Sequence, residues 1–446
     1  MAADASCPMA VTAAISPELA ATAFLNSLKK PTRLLVAISG GGDSTGLLVA
    51  LDRALRNGNF SHSLTAATVD HALRAESAAE AGSVADLCAR LDIAHVIQRW
   101  QDEKPETGLS AAAREARYHL LVEAAGELGA DLIVTGHTAD DQAETIAMRS
   151  ARAATASHGL SGMAPATLFE RSFWIMRPFL GVRRADIRRY LATGGHGWID
   201  DPTNLDPHYE RVRTREALAV ADATPIAPDM GARRMRMSAE AAHLVRQYCQ
   251  VHAGTIVHLD SAALDADAPV LRHALAVLLA VTGGRIHLPG RDAMAQVMAF
   301  LERKQDGRTT VARTLVQKRK DGVYLMRERR DILPLAVAPG QTAVWDGRFV
   351  IHNFGERELR IEPGSASESI GPLEAVPESI ARHAALIAPR MAPQGSGKSR
   401  GPMASTPVRV EPVLAPFDRF LPAFDLEIAN AVARLFGRDP YPTPPV

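Results

Sequence analysis

The sequence predicts an α/β fold: a doubly wound parallel sheet, followed by a helical second domain and a small β-containing C-terminal region. Three observations carry this expectation. Residues 34–38 form a short continuous apolar run, as a strand covered on both faces does, and they pass through Ser39 and three glycines into an apolar helical stretch ending near Leu48. Strand-like runs at 64–69, 94–99 and 131–135 then alternate with helical stretches at 76–91 and 110–128, the pattern of right-handed βαβ units. After an Ala-, Pro- and Asp-rich stretch at 221–228, helical spacing alone continues at 235–251, 269–282 and 291–304.

The remaining elements follow in order. Residues 1–31 read as a loose arm and a short helix that starts at Ser16-Pro17-Glu18, with Pro in the first turn. The sheet domain spans 32–220 and the helical domain 229–305. The β-containing region covers 306–387, with one hairpin turning at Asp321-Gly322 and a second, over 345–361, about Gly355-Glu356. Residues 388–407, rich in Pro, Gly and Ser, are expected to be a disordered linker. The tail, 408–446, has room for a helix within 417–436.

The chemistry begins at the glycines. Gly40, Gly41 and Gly42 remove every side chain that would keep an anion from the backbone, and the helix start adds unpaired N–H groups and a partial positive charge. With Ser39 and Ser44 on either side, this is a phosphate cradle. It is not the G-x-x-x-x-G-K-[ST] loop, because Asp43-Ser44-Thr45 stands where a Lys is required, and the dinucleotide fingerprint fails because residue 45 is Thr45 rather than Gly. An acid in the first helical turn repels a polyphosphate unless a divalent cation bridges them, so Asp43 reads as an Mg²⁺ ligand; a plain helix cap is the alternative.

Composition bounds the rest. The chain has 446 residues, 47% hydrophobic and 22% charged, with 50 Lys plus Arg against 50 Asp plus Glu. That is a globular protein of two or three domains whose net charge of zero requires any nucleic-acid surface to be a local patch. Cys7, Cys88 and Cys249 form no pair in sequence, which argues against a disulfide framework, a zinc site or an iron–sulfur cluster. No run approaches the ~20 apolar residues of a membrane span. A cytoplasmic protein is expected, with a homodimer left open.

Further polar groups cluster at expected strand ends. Asp70, His71 and Arg74 follow the second strand, at the edge where ligands of open α/β sheets gather, although such pairs also anchor loops. The fourth strand opens into residues 135–145, TGHTADDQAET, and in the usual strand order this loop faces the glycine loop. There Asp140, Asp141 and Glu144 suit either the helix dipole, Mg²⁺ (Asp141 with Asp43) or a substrate ammonium. Arg171, Arg177, Arg183, Arg184, Arg188 and Arg189 supply the local basic patch, and Arg211, Arg213 and Arg215 recur on every second residue, as along an extended segment.

These motifs carry a resemblance. SGGGDS at 39–44 resembles the S-G-G-x-D-S loop of the N-type ATP pyrophosphatases, the PP-loop superfamily with its adenine nucleotide alpha hydrolase-like fold. VDHALR at 69–74, AREARY at 113–118, TGHTADDQAET, GLSGM at 159–163, RPFL at 177–180 and the stretch DPTNLDPHYERVRTR, in that order, narrow it to the tRNA(Ile)-lysidine synthase family. Thr138, Val212 and Thr214 depart from the family pattern, which has His, Asn and Ile there.

The resemblance implies an ATP-dependent ligase. ATP adenylates carbon 2 of the wobble cytidine in the CAU anticodon of tRNA(Ile), and L-lysine displaces AMP, so that lysidine forms and decoding changes from AUG to AUA. It assigns ATP and Mg²⁺ as cofactors and Ser39 to Ser44, Asp70, His71, Gly136 and His137 to ATP. Asp43, Asp141, Glu144 and Arg114 become catalytic, with Glu144 binding the lysine ammonium and taking its proton. Arg74, Arg117, Arg177, Arg183, Arg184, Arg211, Arg213 and Arg215 fall to the tRNA. The alternatives are a tRNA thiolase or another ligase of the superfamily, or a non-catalytic tRNA-binding relative.

Overall fold

The strand that leads into the glycines is the centre of the sheet. In the computed structural model, which describes residues 15–73, 76–152, 161–200, 210–220, 230–365, 376–391 and 408–446, β1 (Arg33–Ala37) buries Leu34, Leu35 and Val36 completely. It pairs in parallel with β2 (Ser63–Asp70) on one side and β4 (Leu132–Thr135) on the other, Leu34 lying opposite Leu64 and Leu132. β3 (Ala94–Arg99) continues beyond β2. Beyond β4 lie β6 (Phe173–Met176), parallel, and then β5 (Ala166–Phe169), antiparallel to β6. The order β5-β6-β4-β1-β2-β3 is a doubly wound sheet, and β1 and β4 meet at its switch point, where a crevice opens beyond the strand ends.

The helices of this part are α1 (Pro17–Ser27), α2 (Gly42–Asn57), α3 (Ser77–Arg90), α4 (Leu109–Glu127), α5 (Ala139–Arg152), α6 (Arg184–Thr193) and α7 (Glu210–Val220). Ser16 caps α1 by accepting from the Leu19 N–H, as its sequence predicts. α2 and α6 approach so closely that a Cβ at Gly46 would stand 2.2 Å from Ile187. That contact fixes the start of α6 beside the start of α2. α7 corrects the extended segment expected for the alternating arginines: Arg211 and Arg215 are four apart on a helix, on one face.

Contacts divide the chain into two compact units, 1–234 with 422–424 and 442–446, and 235–421 with 425–441. The second unit begins within α8 (Met230–Tyr248) and is not the helical domain followed by a β region that the sequence suggested. β7 (Cys249–His252) and β8 (Ile256–Asp260) follow α8 directly. α9 (Ala268–Thr282) and α10 (Arg291–Leu301) then precede β9 (Gly307–Val311), β10 (Thr314–Arg319) and β11 (Gly322–Arg327), and the five strands form one sheet in the order β7-β8-β11-β10-β9. The Asp321-Gly322 hairpin is present, joining β10 to β11. Pairing of β8 with β11 therefore joins the two stretches into one body.

The rest of this unit is β12 (Leu335–Val337), β13 (Thr342–Trp345), β14 (Phe349–Asn353), β15 (Leu359–Pro363), α11 (Glu378–Ile387), β16 (Pro389–Met391), β17 (Val408–Pro412) and α12 (Leu426–Leu435), whereas β18 (Phe420–Pro422) is a seventh strand of the first sheet, beside β5. The second hairpin of this unit turns at Asp346-Gly347, both at positive φ, and not at Gly355-Glu356. Asp-Gly supplies the two left-handed residues of a tight turn. β14 and β15 lie in different sheets. Trp345, Ile351, Ile361, Ile380 and Ile387 are among the residues of the core here. Most of the expected linker, 392–407, and the stretch 221–228 lie outside the described residues.

Candidate active site

Side-chain hydroxyls shape the glycine loop. Ser44 Oγ accepts from Ser39 N–H at 3.1 Å and lies 3.0 Å from the Gly41 carbonyl, and Thr45 Oγ1 donates to the Gly40 carbonyl at 3.1 Å. Gly40 sits at φ +85°, which favours glycine, and a Cβ there would also press on Ile199 Cδ1 at 2.7 Å. The Ile199 N–H donates back to the Gly40 carbonyl at 2.9 Å, and Trp198 packs over Gly42. The loop is held open towards the helix start, where Asp43 stands in the first turn of α2.

The β4 loop meets it directly. A Cβ at Gly136 would lie 2.8 Å from the Asp43 carbonyl oxygen and 2.9 Å from Ser44 N, so only glycine lets the two loops touch. Thr138, which replaces the family's second His, starts α5: its N–H and Oγ1 both donate to Asp141 Oδ2, at 2.8 and 2.9 Å, and Asp141 N–H lies 3.3 Å from Thr138 Oγ1. That reciprocal cap aims the acidic turn of α5 at Asp43.

Arginines then bind the acids together. Arg184, at the start of α6, donates Nε to Asp43 Oδ2 at 2.9 Å and Nη2 to Asp141 Oδ1 at 3.2 Å, and Nη1 stands 3.5 Å from Glu144. Arg211 reaches Glu144 at 2.7 Å and Asp141 at 3.0 Å, and Arg215 reaches Glu144 at 2.8 Å. Asp140 accepts from the Arg184 N–H. Burial raises the Glu144 carboxyl, but hydrogen bonds from Arg215 and Arg211 outweigh it and hold the group below its usual range. Burial pushes Asp43 up instead, against the pull of Arg184.

This geometry revises several readings. Arg184, Arg211 and Arg215, read as tRNA contacts, here serve the acids. Arg177, also read as a tRNA contact, is 5% exposed and donates to the Ala164 carbonyl and Thr167 Oγ1, so no RNA can reach it as a surface group. Asp141 accepts from four donors on its two oxygens, two of them guanidinium groups, whereas Asp43 Oδ1 is buried with no partner at all. Of the two proposed Mg²⁺ ligands, the donor set fits Asp43. Taking a proton would cost Glu144 its hydrogen bonds from Arg211 and Arg215, which weighs against the proton-acceptor role expected of it. Asp70 anchors its loop by accepting from the Ala72 N–H, while His71 packs edge-on to Trp100 with its Nδ1 buried and unpartnered.

A second cluster faces the same loop. Arg114 stacks over Tyr118 at 5.1 Å, and the charges of Arg114, Arg177 and Arg117 all lower the Tyr118 hydroxyl, outweighing its burial. Among the described residues no carboxylate pairs with these three arginines. Arg183 and Arg213 are exposed. Of GLSGM, Ser161, Gly162 and Met163 are described, and Gln142 and Arg149 of α5 bind this piece down. Arg74, 158–160 and 201–209 lie outside the described residues.

Known proteins are similar to this chain in sequence. Residues 15–221 match the PP-loop domain family. A tRNA(Ile)-lysidine synthase of Rhizobium meliloti (strain 1021) is 43% identical over 441 residues, covering 95% of this chain and 96% of its own length. The chain belongs to the tRNA(Ile)-lysidine synthase family. A synthase of Mesorhizobium japonicum is 42% identical over 438 residues (92% and 94% of the two chains), and one of Brucella canis 39% over 430 (92% and 96%). Among solved structures, the U34-tRNA thiolase NcsA from Methanococcus maripaludis aligns at 14% identity and a TM-score of 0.39, over 46% of this chain and 72% of that one. The lysidine synthase family thus accounts for a PP-loop ATP-binding domain, and no described helix is long and apolar enough to cross a membrane.

Proposed function

We propose that this protein adenylates carbon 2 of the wobble cytidine in the CAU anticodon of tRNA(Ile) with ATP and then joins L-lysine to it, releasing AMP. The observation that supports this most is the wedge of Gly136 against the Asp43–Ser44 backbone, which brings a phosphate loop and an acidic helix start into one crevice. In the first step the cytidine oxygen attacks the α phosphate and pyrophosphate leaves. The backbone N–H groups at the start of α2 hold the departing phosphates, and Arg114 and Arg117 steady the charge on the α phosphate. Asp43, through Oδ1, would hold Mg²⁺, which shares charge with the phosphate oxygens.

In the second step the lysine amine attacks carbon 2. Glu144, ionised at neutral pH, receives the lysine ammonium in place of one or more of its arginines, which are 18–42% exposed and exchangeable. Cys88 and Cys249 are separate buried thiols, which disfavours a thiolase built on paired cysteines. The test is to incubate the protein with ATP, Mg²⁺, labelled lysine and CAU-anticodon tRNA(Ile). Label should enter the RNA only when ATP is present; pyrophosphate release without label in the RNA would overturn the reading.

A further inference from the structure

Lysine reaches the crevice as an ammonium with no lone pair, so some group must take a proton before the nitrogen can attack. The carboxylates are poorly placed for it. Asp141, Glu144 and Oδ2 of Asp43 already accept from guanidinium groups, and Asp140 accepts from a backbone N–H, so protonating any of them forfeits a charge-assisted bond. They hold charge. They do not relay it.

Within the reading proposed above, we infer that His137 is the proton acceptor for the incoming lysine, with Thr135 fixing its tautomer and Arg114, Arg117 and Arg177 making it respond to the adenylated tRNA. His137 lies between Gly136, which touches the phosphate loop, and Thr138, which caps the acidic helix. Its Nδ1 is 2.8 Å from Thr135 Oγ1, and that oxygen is 3.4 Å from the Met176 carbonyl. The chain closes with every hydrogen used once if Nδ1–H donates to Thr135 and the Thr135 hydroxyl donates to Met176. The other ring nitrogen, Nε2, then carries the lone pair.

The charged groups around the ring are Arg114 and Arg117 from α4, Arg177 after β6 and Arg211 from α7, with Tyr118 between the first three. Burial and these four cations hold the imidazole neutral, well below its usual range, in the free protein. An adenylate phosphate seated against Arg114 and Arg117 cancels part of that field, and the ring becomes basic only when the activated cytidine is present. In the step itself the lysine Nζ–H proton passes to Nε2. The freed nitrogen pair forms the bond to carbon 2, and the carbon–oxygen bond to AMP breaks with its electron pair leaving on the phosphate oxygen. Once AMP leaves, the arginines expel the proton to water.

The test separates the two half-reactions. Pyrophosphate release from ATP and tRNA without lysine measures adenylation, and single-turnover transfer to pre-adenylated tRNA measures attack. At saturating ATP, His137→Gln is expected to slow lysine transfer about 10²- to 10⁴-fold and adenylation by a clearly smaller factor. Its transfer rate should climb with pH in step with the free amine, without the wild-type inflection. Thr135→Val should slow transfer about tenfold and leave adenylation unchanged. Independently of activity, the ¹⁵N signals of His137 in the wild-type protein should show an Nδ1–H tautomer, and its titration should move upward when AMP is added. Transfer by His137→Gln at the wild-type rate, equal loss of both half-reactions, or an Nε2–H tautomer would each overturn the assignment. Failure of wild-type protein to incorporate lysine at all would instead sink the proposed function.

Discussion

Two carboxylates in this chain are each held by three arginines, and the surroundings give them different work. Asp346, on the β13–β14 turn, meets Arg313, Arg327 and Arg348; its side chain is 1% exposed, and those of Arg327 and Arg348 are 1% and 5% exposed. Arg348 also donates to the Ile387 carbonyl at 2.7 Å, tying the turn to the end of α11. Glu144 is just as buried at 2%, yet Arg184, Arg211 and Arg215 are 18%, 42% and 36% exposed. Water reaches the guanidinium groups of the second cluster, so a ligand can replace one of them without stranding a dry charge. In the first cluster Arg313 is 30% exposed, but the departure of Arg327 or Arg348 leaves buried charge unpaired. The same three-to-one composition is a fixed joint in one unit and an exchangeable clasp in the other.

Removing each acid should expose the difference. Asp346→Ala strands two buried guanidinium groups and is expected to cost about 3–5 kcal/mol, read as a lower denaturant midpoint. Glu144→Gln should lower that midpoint by a smaller amount and slow lysine transfer about 10- to 100-fold, with adenylation spared. Equal destabilisation by both substitutions would erase the distinction. Acid sharpens it further. The Glu144 carboxyl lies below its ordinary value of 4.5 in the folded chain, so its ion-pair stabilisation is complete above about pH 4.5 and is lost as pH falls through the folded value. The stability gap between wild type and Glu144→Gln should therefore be flat from pH 8 to about 5 and close below that, by chemical denaturation at each pH.

The sequence made the crevice legible because its signals are local. A doubly apolar run, three glycines and an acidic helix start each have one physical meaning, and sheet topology alone brings residues 39–44 opposite residues 140–144. The arginines were illegible for the opposite reason. Arg177, Arg183 and Arg184 share one basic stretch, yet one is buried on the Ala164 carbonyl, one is exposed and one binds an aspartate 141 positions earlier. Nothing adjacent to them encodes those partners. The arginines of α7 recur on every second residue, the period of an extended segment, whereas the pull of Glu144 on Arg211 and Arg215 favours helical spacing. The apolar period of α8 runs on into β7 and hides it, and the β7–β8 turn is made by Ala253 and Gly254, both at positive φ.

The neighbours Arg183 and Arg184 give the finest test of how exposure sets a role. Arg183 precedes α6 with its side chain in solvent, so it fits a phosphate of the tRNA backbone and nothing in the crevice. Arg183→Ala should weaken tRNA binding by roughly 1 kcal/mol or less and reduce the slope of log K against log salt by about one, equally for cognate and non-cognate tRNA. At saturating tRNA its adenylation rate should match wild type. Arg184→Ala should do the reverse, leaving the salt slope alone while adenylation falls, because Asp43 and Asp141 then face each other with only Arg211 between Asp141 and Glu144. If Arg183→Ala also lost adenylation at saturating tRNA, solvent exposure would not be what separates RNA-facing arginines from those that hold the acids.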